Sequence, residues 1–225
     1  MERLLDTLIG SEAFERLLLE RARPVVARSD AGEDFFVSAL ARALESPVLV
    51  VAPGPREAEQ LAEGAEAWLG AERAALLPAW EALPYEGISP SPEISARRAD
   101  AVRRLRAAKG PFVLVTPALA AMQGLVPTLG GVAPVELVKG IDLPPDALAE
   151  RLVDLGYVRT DVVEHRGEFA VRGGVLDAFP GTARRPVRLE YWGDEIESIR
   201  EFTPSSQLST SPVVRVEIPP VRELI

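Results

Sequence analysis

The stretch Ala27-Arg28-Ser29-Asp30-Ala31-Gly32-Glu33-Asp34 has the spacing at which a strand-to-helix turn can cradle a nucleotide phosphate. The phosphate-binding pattern G-x-x-x-x-G-K-[ST] uses its lysine to neutralise the β- and γ-phosphates and its hydroxyl to ligate magnesium. Here Gly32 sits at the second glycine, but Ala27 stands at the first, Glu33 at the lysine and Asp34 at the hydroxyl. Two carboxylates facing a polyanion at close range each cost on the order of several kcal/mol at an effective dielectric of about 20. The same carboxylates suit a helix N-terminus, where the macrodipole favours negative charge. The segment reads either as a degenerate nucleotide site (Gly32, Glu33, Asp34) or as an ordinary acidic helix start. Both readings predict no ATP binding and no cofactor.

Other chemistry is thinly represented. The chain has no cysteine, which excludes disulfides and thiol chemistry. Its single histidine, His165, rules out a zinc site built from two or more His or Cys ligands. His165 lies between Glu164 and Arg166 in an expected turn, without a nucleophile partner, and reads as a surface residue. Asp177 and the run Asp194, Glu195, Glu197 supply carboxylates, but nothing pairs them for acid–base work; they read as solubilising strand edges. Arg97, Arg98, Arg103, Arg104 and Arg106 lie on one expected helix, interrupted by Asp100. A solvated helix face is the simpler reading than a DNA site. No catalytic residue and no metal ligand set emerge.

The elements around these residues fall into two patterns. At 225 residues, 47% of them hydrophobic, the chain is long enough for one large or two small cores. Aromatics reach only 6%, so aliphatic side chains and alanine must fill them. The net charge of −9 argues against non-specific nucleic-acid binding by the chain as a whole. No apolar run spans a bilayer, and MERLLDTLIG lacks the basic head of a secretory signal, so the expected location is cytoplasmic. Strands are expected at Pro24–Ala27, Val48–Ala52 (unbroken and apolar, as in a buried parallel sheet), Ala75–Pro78 and Phe112–Val115. They alternate with helices over Phe35–Leu44, from Pro55 to Gly70, over Ile94–Ala108 and after Pro117. That alternation implies a parallel α/β sheet. Beyond Gly130-Gly131 the pattern changes. A short helix from Leu143 to Gly156 precedes strands Glu168–Arg172, Val175–Phe179, Val187–Trp192, Ile196–Phe202 and Val213–Ile218, with a hairpin turn at Gly193-Asp194. The expected fold is α/β: a degenerate RecA/P-loop-like parallel-sheet domain over 1–133, then a small α+β domain with an antiparallel sheet over 134–219. Residues 220–225 begin a return segment to the first domain.

Three stretches share an order with a known family. The first is Pro78-Ala79-Trp80-Glu81-Ala82-Leu83-Pro84-Tyr85 followed by Ser89-Pro90-Ser91-Pro92-Glu93. The second runs from Leu152-Val153-Asp154-Leu155-Gly156-Tyr157 through Arg166-Gly167-Glu168-Phe169-Ala170-Val171-Arg172-Gly173-Gly174 to Pro180. The third is Arg188-Leu189-Glu190-Tyr191-Trp192 with Gly193-Asp194-Glu195-Ile196-Glu197-Ser198-Ile199-Arg200. Together they resemble the amino-terminal, UvrB-like module of bacterial transcription-repair coupling factors, the Mfd family. Two departures separate the chain from UvrB itself: the altered phosphate loop, and a segment from Tyr85 to Arg97 too short for UvrB's long aromatic β-hairpin. The resemblance implies a non-catalytic module that docks on UvrA. It also implies a larger parent, an ATP-dependent DNA translocase, whose other domains meet ATP, DNA and stalled RNA polymerase. It places the UvrA contact at Arg159, Arg172 and Phe169, with Arg166 a weaker neighbour. Ala170 departs from the arginine that UvrB carries there, which should weaken docking or shift it to neighbouring residues. Strand alternation puts Phe169 and Val171 on one face and Arg172 on the other, so Phe169 makes contact only if its face is open. Two alternatives stand beside docking: a divergent nucleotide hydrolase, and an autoinhibitory clamp on the parent's motor.

Overall fold

A computed structural model describes residues 2–20, 22, 32–82 and 87–223. The chain divides into two compact units, Met1–Ala79 with Arg104–Gly124, and Trp80–Arg103 with Leu125–Ile225. The division falls inside one helix.

The first unit opens with two short helices that the sequence reading did not foresee, α1 (Glu2–Ile9) and α2 (Glu12–Glu20). They bury Leu5 and Phe14 against Ala39 of α3 (Glu33–Leu44), and Phe14 meets Phe36 edge-on. Next come β1 (Pro47–Ala52), α4 (Pro55–Leu69), β2 (Ala74–Leu76), the last turn of α5 (Pro92–Ala107), β3 (Phe112–Pro117) and α6 (Ala118–Met122). Proline at the first position of α4 costs nothing, because its missing N–H has no intrahelical partner there. The three strands form a parallel sheet in the order β1-β3-β2. Ala58, Ala62 and Ala65 of α4, at helical spacing, pack on Val113 and Val115 of β3. Small side chains let helix and sheet approach closely, which is how a chain poor in aromatics fills this core.

One expectation changes here. The run Val48–Ala52 is not buried on both faces: Leu49 and Val51 of β1 are exposed, while β3 is buried throughout. Among the described residues β1 pairs only with β3, and an apolar run by itself does not reveal an outer position. The expected strand Pro24–Ala27 lies outside the described residues.

The second unit contains β4 (Val135–Val138), α7 (Pro145–Asp154), β5 (Val158–Arg159), β6 (Glu168–Arg172), β7 (Val175–Ala178), β8 (Val187–Trp192), β9 (Glu195–Phe202), β10 (Ser209–Pro212) and β11 (Arg215–Ile218). Six strands form one sheet in the order β10-β9-β8-β7-β6-β5, antiparallel except for β5 beside β6. β4 and β11 form a separate ribbon. Gly193, at φ 61°, makes the tight turn between β8 and β9. One face of the large sheet (Phe169, Leu176, Leu189, Ile196, Ile199) packs on Leu148 and Leu152 of α7 and on Leu137 and Ile218 of the ribbon. A smaller cluster, Val163, Ala170, Phe179 and Phe202, lies on the other face.

Candidate functional site

One of the two carboxylates of the acidic helix start is engaged within the first unit. Gly32 is left-handed (φ 75°) and precedes α3, with Glu33 and Asp34 in the first turn. Asp34 turns sideways and accepts a hydrogen bond from Trp68 Nε1 of α4 at 2.9 Å. A Cβ at Gly64 would come within 2.7 Å of its carboxyl carbon, so α3 and α4 meet closely there. Ala27 to Ala31 lie outside the described residues. What is described of this position ties the carboxylate to an indole rather than to a phosphate cradle.

The second unit presents its charges differently. Asp177 of β7 is 1% exposed, in register with Ala170 of β6 and Arg188 of β8. Arg188 donates to it twice, Nε to Oδ1 at 2.7 Å and Nη2 to Oδ2 at 2.8 Å. Arg172 adds one bond, Nη2 to Oδ2 at 2.8 Å. Arg188 also donates from Nη1 to the Gln207 carbonyl at 3.1 Å, and its guanidinium lies 4.9 Å from the Phe202 ring centroid. Hydrogen bonding to Asp177 holds the Arg188 guanidinium above its ordinary range. Asp177 therefore does not solubilise a strand edge, as its sequence suggested; it is a buried acceptor between two cations. Arg188 was not singled out, although alternation along Val187–Trp192 marks it as an outward residue beside β7.

The residues expected to touch a partner do not form one patch. Arg172 is half exposed, on the face opposite Phe169. Phe169 is fully buried against α7 and the ribbon, so it is core and not contact; the pleat that sends Arg172 out sends Phe169 in. Arg159 is exposed on the outer strand β5, paired with Phe169 and hence on that side of the sheet. Arg166 is spent on structure. Its Nε donates to the Ala183 carbonyl at 3.1 Å, its Nη1 lies 3.2 Å from Glu93 Oε2, and its guanidinium covers Phe179 at 5.1 Å.

Residues 135–224 match the family described as the UvrB interaction domain. The chain is 46% identical over 178 residues to the transcription-repair-coupling factor of Mycobacterium tuberculosis (strain CDC 1551 / Oshkosh), a match covering 76% of this chain and 14% of that protein. It is 35% identical over 205 residues to the Bacillus subtilis (strain 168) transcription-repair-coupling factor, covering 88% and 17%. The Escherichia coli (strain K12) factor matches at 33% over 189 residues, covering 83% and 16%. The chain is a homologue of the transcription-repair-coupling factors. It spans 14–17% of the length of these relatives. All strands from β4 to β11 lie within the residues that match the UvrB interaction domain, and so do Arg159, Phe169, Arg172, Asp177 and Arg188.

Elsewhere in this homologue the remaining charged residues serve the fold. Arg98 is not on an outer helix face: it is fully buried, with Nε 2.6 Å from Glu223 Oε1 and its guanidinium 4.7 Å from the Trp80 ring centroid. It shares a helical stripe with the buried Ser95, Ala99 and Val102, a signal present in the sequence. Arg103 binds Asp100 at 2.5 Å, and Arg104 binds the carbonyls of Ala71 and Ala74. The expected arginine stripe is therefore largely engaged. His165 is exposed beside Glu168, whose Oε2 accepts the backbone N–H groups of Glu164 and His165 at 2.8 Å each. Partial burial opposes ionisation of Glu168, but those hydrogen bonds outweigh it and hold its carboxyl below the usual range. Among the described residues, no group of three or more His, Cys, Asp or Glu is placed to hold a metal, and no helix is long and apolar enough to cross a membrane.

Proposed function

We propose that this chain is a non-catalytic docking module of a cytoplasmic transcription-repair coupling factor, and that it recruits UvrA to link stalled RNA polymerase to nucleotide excision repair. One observation carries the reading: the interaction-domain match over residues 135–224 encloses the whole sheet from which Arg172 emerges. In this reading residues 1–133 are the degenerate P-loop-like domain and 134–219 the docking domain, with a return segment from 220. Arg172 is the centre of the contact, Arg159 extends it around the sheet edge, and Arg166 acts only as a neighbour. Exposed arginine is over-represented among interface hot spots. The pairing of Asp34 with Trp68 speaks against the nucleotide hydrolase alternative. The remaining, larger part of the parent supplies the ATP-driven translocase and the contacts with DNA and polymerase.

The test is calorimetric binding of this chain to purified UvrA, beside Arg172→Ala and Arg159→Ala variants whose circular dichroism is unchanged. Wild-type binding with a loss of at least ~2 kcal/mol in Arg172→Ala, the scale of a hot spot, supports docking through this face. Absence of binding at concentrations on the order of tens of micromolar, a free energy of roughly 6–7 kcal/mol, removes it.

A further inference from the structure

We infer that Asp177 is a positioning residue that pre-sets Arg172 as a receptor for a carboxylate on the docking partner; this rests on the UvrA-docking reading above. Arg188 uses Nε, Nη1 and Nη2 within the fold. Among the described residues Arg172 bonds through Nη2 alone, and half of its side chain is open to solvent. One buried carboxylate is bonded to two guanidinium groups, and Glu190 of β8 also acts on Arg188, which leaves Arg172 as the cation that stands half in solvent.

An arginine held at one nitrogen has already lost much of its rotamer freedom before the partner arrives, which lowers the entropic cost of docking. Nη2 carries a second N–H, which with the neighbouring Nε–H or Nη1–H still presents two donors to a carboxylate, the group with which guanidinium forms short, charge-assisted hydrogen bonds. Arg188 fixes Asp177, Asp177 fixes Arg172, and Arg172 meets the partner. The partner surface is therefore acidic where it covers β6 and β7.

The experiment is a double-mutant cycle on the full chain: wild type, Arg172→Ala, Asp177→Asn and the double variant, each titrated with purified UvrA and each melted thermally. Asp177→Asn should weaken docking by about tenfold in the wild-type background and by less than about twofold in the Arg172→Ala background, because its effect runs through Arg172. Simple Coulomb attraction predicts the opposite sign, since removing a negative charge would tighten binding to an acidic partner. Equal losses in both backgrounds, or wild-type affinity in Asp177→Asn, overturn the inference. Should Asp177→Asn fail to fold, Arg172→Lys decides. Lysine keeps the charge but loses the fork, so docking should weaken about tenfold at an unchanged melting temperature; unchanged affinity overturns the proposal. Wild type that binds while Arg172→Ala binds equally well moves docking off this face and overturns this inference alone. Wild type that does not bind UvrA removes the docking reading, and this inference with it.

Discussion

Asp34 in the first unit and Asp177 in the second are both acidic side chains in contact with a neighbouring element, yet they end differently. Among the described residues Asp34 meets one neutral side-chain donor, the indole of Trp68. Asp177 meets two cations, and the second of them, Arg172, is half exposed. A neutral donor completes a local packing contact. A second, half-exposed cation leaves donors for something outside the fold. The difference separates a position that resembles a functional motif from one that can act on a partner.

Phe169→Ala gives the largest expected effect on this comparison. It empties a fully buried site and should lower stability by about 3–5 kcal/mol in urea unfolding. A loss under about 1 kcal/mol with docking abolished would place the ring at the interface and break the division of β6 into an inner and an outer face. Trp68→Phe is next. It removes the donor to Asp34 and should cost roughly 1.5–3 kcal/mol, the range for hydrogen bonds to charged groups, while UvrA affinity stays at the wild-type value. A change in UvrA affinity would show that the first unit takes part in docking. Glu168→Gln should have the smallest effect, visible in the pH dependence. The folded carboxyl lies below its ordinary value of 4.5, so its contribution is present above 4.5 and is lost as pH falls through the lower folded value. Urea midpoints measured from pH 7 to pH 3 should therefore fall less steeply in the variant. Parallel curves would show that the His165 turn contributes no such linkage.

Much of the second unit was legible in the chain itself. Alternation alone placed Glu168–Arg172 and Val187–Trp192 as strands at their observed ends, and Gly193-Asp194 marked the turn beside them. β4 escaped notice because its partner β11 lies far along the sequence, so its pairing has no local signature. α1 and α2 were passed over although Leu5 and Phe14 are buried against α3. By its charge Arg98 reads as solvated, yet it shares the buried stripe of Ser95, Ala99 and Val102. Its partner Glu223 is 125 positions away.

The sequence by itself determined which side chains share a face, because a strand has period two and a helix period 3.6. It also determined that Glu33 and Asp34 stand where a phosphate loop needs lysine and a hydroxyl. Only the tertiary structure decided which face of each element is covered. α7 and the β4–β11 ribbon close over Phe169, and β7 and β8 bring Asp177 and Arg188 beside Arg172. Cover and charge pairing arise between residues distant along the chain, and their energies exist only once those residues meet.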